Sequence, residues 1–498
     1  MKPIIRALVV AGLLLASLPG FACPDRIRAG TLDLATATLD DITAALAQKK
    51  VTSVQLVDAY LDRIRTCNDE RHAIISTSRA ALRAARALDA ERAAGKLRGP
   101  LHGVPVIIKD NIDLAGAVTT AGSFALADNE RQASAPLVEQ LTRAGAIVIA
   151  KANLSEWANF RSRQSSSGWS AVGGLVANAR DPLRSACGSS SGSAVAVVLH
   201  FAPFAVGTET NGSIVCPASV NGIVGFKPTV GWISQGGIVP ISHTQDTAGP
   251  MASNVADAAL LFGAMVNAEH AQDFRGALRA DALQGARLGV ARFIKGFSPR
   301  TDQAFEKMLG VLKAAGAELV EISDYDFADL RDLESTILAT EFKAGINAYL
   351  ATAPPAVKPR TLGALMAFNR GEPRELEWFG QESFEQAQAG GGLDDPAYLA
   401  ALQKALTLAR ANGIDKLLAD HKVIALIAPT NGPAWSIDLV NGDRAVGSAS
   451  LLPAVAGYPH LTVPAGDVAG LPVGLSFIGT AGSDATLLSL GYSFEQAR

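Results

Sequence analysis

Leu101-His102-Gly103-Val104-Pro105-Val106-Ile107-Ile108-Lys109-Asp110 is the stretch on which the reading of this chain turns. Val104 to Ile108 is a short, unbroken apolar run, as expected of a strand buried on both faces rather than one half-exposed to water. It ends on a lysine, so an amine is placed at the rim of an apolar layer. Upstream, residues 39 to 95 read as helical: Leu39-Asp40-Asp41-Ile42 opens one segment, and Val54 to Arg65 carries an amphipathic repeat. Gly99-Pro100 closes that block. Downstream, a helix over Ala135 to Ala144 and a second buried strand over Ala146 to Ala150 complete an alternation that predicts an α/β layer architecture.

Farther out, Gly168 to Gly249 loses helical periodicity to glycine, serine and short apolar runs, with a helix expected only from Ser193 to His200. Beyond Asp257 the pattern returns: a strand near Leu288 to Ala291, a helix from Thr301 to Ala315 and a strand near Glu318 to Ile322. Residues 327 to 420 read as mainly helical. Three apolar runs, Val423 to Ala428, His460 to Val463 and Val473 to Ile478, complete the chain. No internal repeat or Pro/Ser-rich linker divides it, so residues 23–498 are expected to form one large α/β domain.

Of 498 residues, 48% are apolar and 18% charged, enough to bury a sizeable core and too apolar for wholesale disorder. A net charge of -3, with no clustered basic face, argues against nucleic acid as a partner. Lys2 and Arg6, the apolar run Ala7 to Leu18 and the small-x-small Gly20-Phe21-Ala22 read as a signal peptide over residues 1–22. A periplasmic or secreted protein is therefore expected, without a membrane span once the signal is cleaved. Ser193 to Gly207 is apolar but short and holds His200. Cleavage would leave Cys23 first, but a lipidation site would normally carry leucine where Gly20 stands, so a lipid anchor is not expected. Cys23, Cys67, Cys187 and Cys216 admit three pairings. Cys23 with Cys67 would tie down the N-terminal arm; free, buried thiols are equally open. The seven histidines are scattered, and no spacing suggests a metal site or calls for a cofactor.

Gly188-Ser189-Ser190-Ser191-Gly192-Ser193 contains Gly-x-Ser-x-Gly centred on Ser190, the pattern of a nucleophile elbow. An elbow needs a buried strand just before it and a histidine base. Ala179 to Cys187 is instead polar, with Pro182 and two arginines, and no His-Gly-Gly-Gly run is present. A different grouping takes the Lys109 strand and the Gly188–Ser193 run together with Gly207-Thr208-Glu209-Thr210-Asn211-Gly212-Ser213-Ile214-Val215-Cys216-Pro217. These three segments resemble the amidase signature family, and the resemblance runs from about residue 35 to the C-terminus.

That resemblance implies a single domain with a central mixed β-sheet flanked by helices. It also implies a Ser–Ser–Lys triad of Ser213 as nucleophile, Ser189 as a bridge following a cis peptide bond, and Lys109 as base. Ser189 and Ser213 stand 24 residues apart, the interval the family shows. Backbone N–H groups of Thr210, Asn211, Gly212 and Ser213 are implied to form the oxyanion hole. Two departures stand out: Asn211 replaces a glycine of the family's turn, and Asn178-Ala179 stands where Asn-Pro is common. Asn153 to Arg161, Ser167 to Ser170 and Gly207 to Pro217 narrow the resemblance to the peptide-amidase branch. The substrate is then expected to be a peptide C-terminal amide, handled by a monomer.

The chemistry is coherent. A serine hydroxyl is a weak nucleophile until a neighbouring base takes its proton. A lysine is a base only when burial disfavours its charged form. Ser189, able both to donate and to accept, suits a proton relay between Ser213 and Lys109. Lys151, also at the end of a strand, is expected to snorkel to the surface, and Asp246 to be a structural hydrogen-bond acceptor. Three rival readings are an amidase for small aryl or aliphatic amides, one component of an amidotransferase, and a non-catalytic exported binding protein. An export signal argues against the second, and an intact triad against the third.

Overall fold

The computed structural model describes Cys23, residues 26–294 and residues 296–498; the expected signal peptide lies outside the described residues. An 11-stranded mixed sheet runs through the molecule. From one edge its strands are Glu318–Ile322, Arg287–Ala291, Ala425–Pro429, Leu471–Ile478, His460–Val468, Val224–Lys227, Thr247–Ala252, Phe204–Glu209, Pro105–Lys109, Ile147–Ala152 and Ile74–Thr77. Pairing is parallel within the first three strands, and again from Phe204–Glu209 through Pro105–Lys109 to Ile147–Ala152. The remaining pairs are antiparallel. The hairpin of His460–Val468 and Leu471–Ile478, drawn from the end of the chain, sits in the middle of the sheet between its two halves.

Strands expected to be buried on both faces are so: every residue of Pro105–Lys109 and Ile147–Ala152 is buried. Four strands are not evident from periodicity. Ile74–Thr77 interrupts the block read as helical, between the helices Ser53–Cys67 and Ala81–Ala93. Asn68 fixes the bend by donating to Ile74 O and accepting from Ile74 N. Phe204–Glu209, Val224–Lys227 and Thr247–Ala252 lie in the glycine-rich region. There glycine marks close approach rather than a turn: a Cβ on Gly249 would sit 2.1 Å from Phe226 O, and one on Gly207 2.9 Å from both Met251 Sδ and Ser190 Oγ.

Helices Ser191–Val198 and Pro136–Arg143 pack on the sheet near Pro105–Lys109. Residues 330–421 form a largely helical layer, as expected, opened by Leu330–Ala351. Two disulfides settle the cysteine pairing. Cys23–Cys67 ties the N-terminal arm to helix Ser53–Cys67, and Cys187–Cys216 joins the two serine-bearing loops. Free buried thiols are excluded among the described residues. No helix among them is long and apolar enough to cross a membrane.

Candidate active site

Strands Pro105–Lys109 and Phe204–Glu209 run side by side in parallel, so their C-terminal ends emerge at the same edge. Lys109 is fully buried there. Its Nζ lies 2.7 Å from Ser189 Oγ, 2.8 Å from Thr208 Oγ1 and 3.2 Å from Thr208 O. Burial brings its pKa down from 10.5 to about 7, against the opposing pull of Asp246 and Glu209. A neutral amine has two hydrogens and one lone pair. Thr208 offers two acceptors, the carbonyl and the hydroxyl oxygen, and Asn111 Nδ2 donates to that hydroxyl from the other side. With both hydrogens taken up by Thr208, the lone pair is left for the Ser189 hydroxyl.

Ser189 follows a cis peptide bond from Gly188 and is wholly buried. Ser155 N donates to its carbonyl at 3.1 Å, which brings the segment beginning at Asn153 against the serine. Ser190 N donates to Ser213 O at 3.1 Å, so the second serine loop lies against the first. The structure thus joins Lys109 and Ser189 by a direct side-chain bond and brings Ser213 alongside through the backbone. The Ser190 hydroxyl is otherwise occupied: it donates to Thr208 O and accepts from Thr208 N. That dual bond explains a serine at the centre of Gly-x-Ser-x-Gly without an elbow.

The turn carrying Ser213 is held from three sides. Glu209 Oε2 accepts from Ile214 N at 2.7 Å and Val215 N at 3.0 Å, a carboxylate at the start of helix Val215–Asn221. Thr210 Oγ1 donates to Asp246 Oδ1 at 2.6 Å, while Asp246 Oδ2 accepts from Ile241 N and Ser242 N. Asp246 is therefore the structural acceptor expected, with burial pushing its pKa up to about 6. Asn211 donates to Glu334 Oε1 at 2.8 Å and accepts from Ser450 Oγ at 2.6 Å. Gly212 has φ of +80°, which glycine adopts freely, whereas Asn211 has no positive φ; replacement of a glycine at 211 therefore introduces no strain. The N–H groups of Asn211, Gly212 and Ser213 donate to nothing among the described residues. Free N–H groups on consecutive residues are the kind of donor a developing oxyanion needs.

Lys151 departs from expectation. It is buried, with Nζ 2.9 Å from Asp110 Oδ1 and 3.1 Å from Thr119 Oγ1. Asp110 and Thr119 meet the amine inside the protein, so it pairs internally instead of reaching solvent. Thr208, Asn111 and Glu334 carry no signal in the sequence, because each acts through a partner far away along the chain. Among the described residues no group of three or more His, Cys, Asp or Glu is arranged to hold a metal ion.

The chain as a whole resembles known proteins. Residues 55–488 match the amidase family model. The crystal structure of native peptide amidase from Stenotrophomonas maltophilia superposes with a TM-score of 0.87 at 43% identity, covering 93% of this chain and 97% of that one. A probable amidase of Arabidopsis thaliana is 36% identical, over 94% of this chain and 91% of its own. A putative amidase of Arthroderma benhamiae is likewise 36% identical, over 90% of this chain and 80% of its own. The family model spans most of the chain and the fold is shared end to end: the protein belongs to the amidase family.

Proposed function

We propose that this amidase hydrolyses the C-terminal carboxamide of peptides through Ser213, Ser189 and Lys109, and that it does so outside the cytoplasm as a monomer. The observation that carries the reading is the buried Lys109 amine, its pKa brought down to about 7 by burial, bonded to Ser189 beside the Ser213 turn. In the first half-reaction Ser213 Oγ attacks the carboxamide carbon while its proton passes to Ser189 Oγ and that of Ser189 to Lys109 Nζ. The carbonyl oxygen takes the negative charge against the N–H groups of the 210–213 turn. Collapse returns the proton along the same relay to the leaving nitrogen, and ammonia departs. Water then attacks the acyl-enzyme by the reverse sequence and releases the acid.

The peptide preference draws on the likeness to the Stenotrophomonas peptide amidase and on the segment from Ser155 to Arg161, held against Ser189. Two disulfides support an oxidising destination. The test is mass spectrometry of a mixture of amidated peptides. A gain of about one mass unit at the C-terminus with the chain intact supports the reading. Untouched peptides beside rapid benzamide or acetamide turnover overturn it in favour of a small-amide amidase.

A further inference from the structure

Beside the Ser213 turn opens a cleft of about 420 Å³, walled by Asn159, Phe160, Arg163, Glu334 and Asp443 among others. Its walls are fastened to both serine loops. Asn159 and Phe160 follow Ser155, which bonds Ser189 O; Asp443 accepts from Ser167, a residue close to Gly188; and Glu334 holds Asn211. Of its walls, Glu334 is the one that touches the turn carrying Ser213, through Asn211.

Glu334 is the unusual member. It projects from helix Leu330–Ala351 and is only 7% exposed. Its Oε1 accepts from Asn211 Nδ2 at 2.8 Å and from Gln245 Nε2 at 2.9 Å. Both donors are taken by Oε1, so Oε2 is the oxygen left for a group in the cleft that Glu334 lines. Burial raises its pKa, while the two amide donors and nearby Arg331 favour the anion. A largely buried carboxylate with one oxygen saturated and the other facing a cleft is a ready acceptor, because a substrate that displaces water there must supply a donor in its place. Arg163 and Arg331 stand exposed at the rim and do not fill it.

On the reading that the substrate is a peptide amide, we infer that Glu334 recognises it. Oε2 accepts the α-N–H of the residue bearing the scissile carboxamide, while Oε1, through Asn211, sets the turn that holds the oxyanion donors. Recognition and the catalytic turn then share one side chain. A substrate with oxygen in place of that N–H leaves Oε2 unfilled and puts a second acceptor against it.

The test compares an N-acetylated amidated dipeptide with its ester analogue, in which the terminal unit is the amide of a 2-hydroxy acid, scoring only loss of the carboxamide by mass. A hydrogen bond to a charged group predicts that the wild-type enzyme prefers the N–H substrate by about 10- to 100-fold in kcat/KM. Glu334→Gln, which turns one of the two oxygens into a donor, reduces that preference below about threefold. Asn211→Ala lowers kcat and retains the preference. Equal wild-type turnover of the two substrates overturns the inference alone, with no variant needed. So does a folded Glu334→Gln enzyme that keeps the full preference. A wild-type enzyme inert on the dipeptide while turning over benzamide refutes the peptide reading and this inference with it.

Discussion

Replacing Lys109 with methionine is expected to abolish activity and to stabilise the protein. The amine is wholly buried, and its pKa is moved from 10.5 to about 7. At about 1.36 kcal/mol per pH unit, that shift represents on the order of 5 kcal/mol of folding free energy lost to burying the group. Methionine has similar length and no charge, but gives up the contacts to Ser189 and Thr208, each worth about 1 kcal/mol. The balance is a gain of roughly 2 kcal/mol at neutral pH. The sign follows from the depressed pKa. Between about 7 and 10.5 the unfolded lysine binds more protons than the folded one, so wild-type stability rises with pH across that window. Below about 7 both states are protonated and the full cost persists. The advantage of Lys109→Met is therefore largest at and below neutrality, vanishes at about pH 8 and turns into a deficit of about 3 kcal/mol by pH 10.5, where only the lost contacts remain. Urea midpoints of the two proteins at a series of pH values measure it. In parallel, wild-type kcat/KM falls about tenfold per pH unit below 6, reaching on the order of 1% of its plateau at pH 5. A stability difference independent of pH, or a wild-type rate flat from pH 5 to 9, refutes the assignment of a neutral buried base.

Ser213→Ala removes turnover by on the order of 10⁴-fold or more, since no acyl-enzyme forms. Ser190→Ala instead costs about 1–2 kcal/mol of stability through its lost bonds to Thr208, with far less effect on rate; ammonia release and melting curves separate the two. Lys151→Ala leaves Asp110 as an unpaired buried carboxylate and destabilises by roughly 3–5 kcal/mol, read as a lower denaturant midpoint. Replacing Cys187 and Cys216 together by serine frees a 29-residue loop. A loss of about 3–4 kcal/mol is expected, read as a lower denaturant midpoint under non-reducing conditions that leave Cys23–Cys67 intact.

Which residues are legible in the sequence follows from where their partners lie. Lys109 can be read because the strand that precedes it is followed at the family's spacing by the two serine motifs; the apolar run alone would leave the amine snorkelling to the surface. Lys151 ends a similar run and reads wrongly as a surface residue. Its fate depends on Asp110 and Thr119, which lie more than 30 residues away and follow a different strand. Strands Phe204–Glu209 and Thr247–Ala252 escape for a related reason. Their glycines serve neighbours, Met251 against Gly207 and Phe226 against Gly249, and periodicity within a strand carries no record of the strand beside it. Ser189 and Ser213 become visible only through their motifs; as single serines in glycine-rich loops they are unremarkable. Glu334 belongs to no motif and is found by the turn it holds.

The central hairpin has a consequence for how the protein is made. His460–Val468 pairs with Val224–Lys227 on one side, and Leu471–Ile478 pairs with Ala425–Pro429 on the other. These two strands are made after every other strand of the sheet, yet they occupy its middle. Until they arrive, two partial sheets each present an unpaired strand, the kind of edge that recruits other chains. A growing chain must therefore keep both edges from its neighbours until the final stretch is delivered. A chain truncated before His460 does not lose an appendage; it loses the piece that makes two sheets into one.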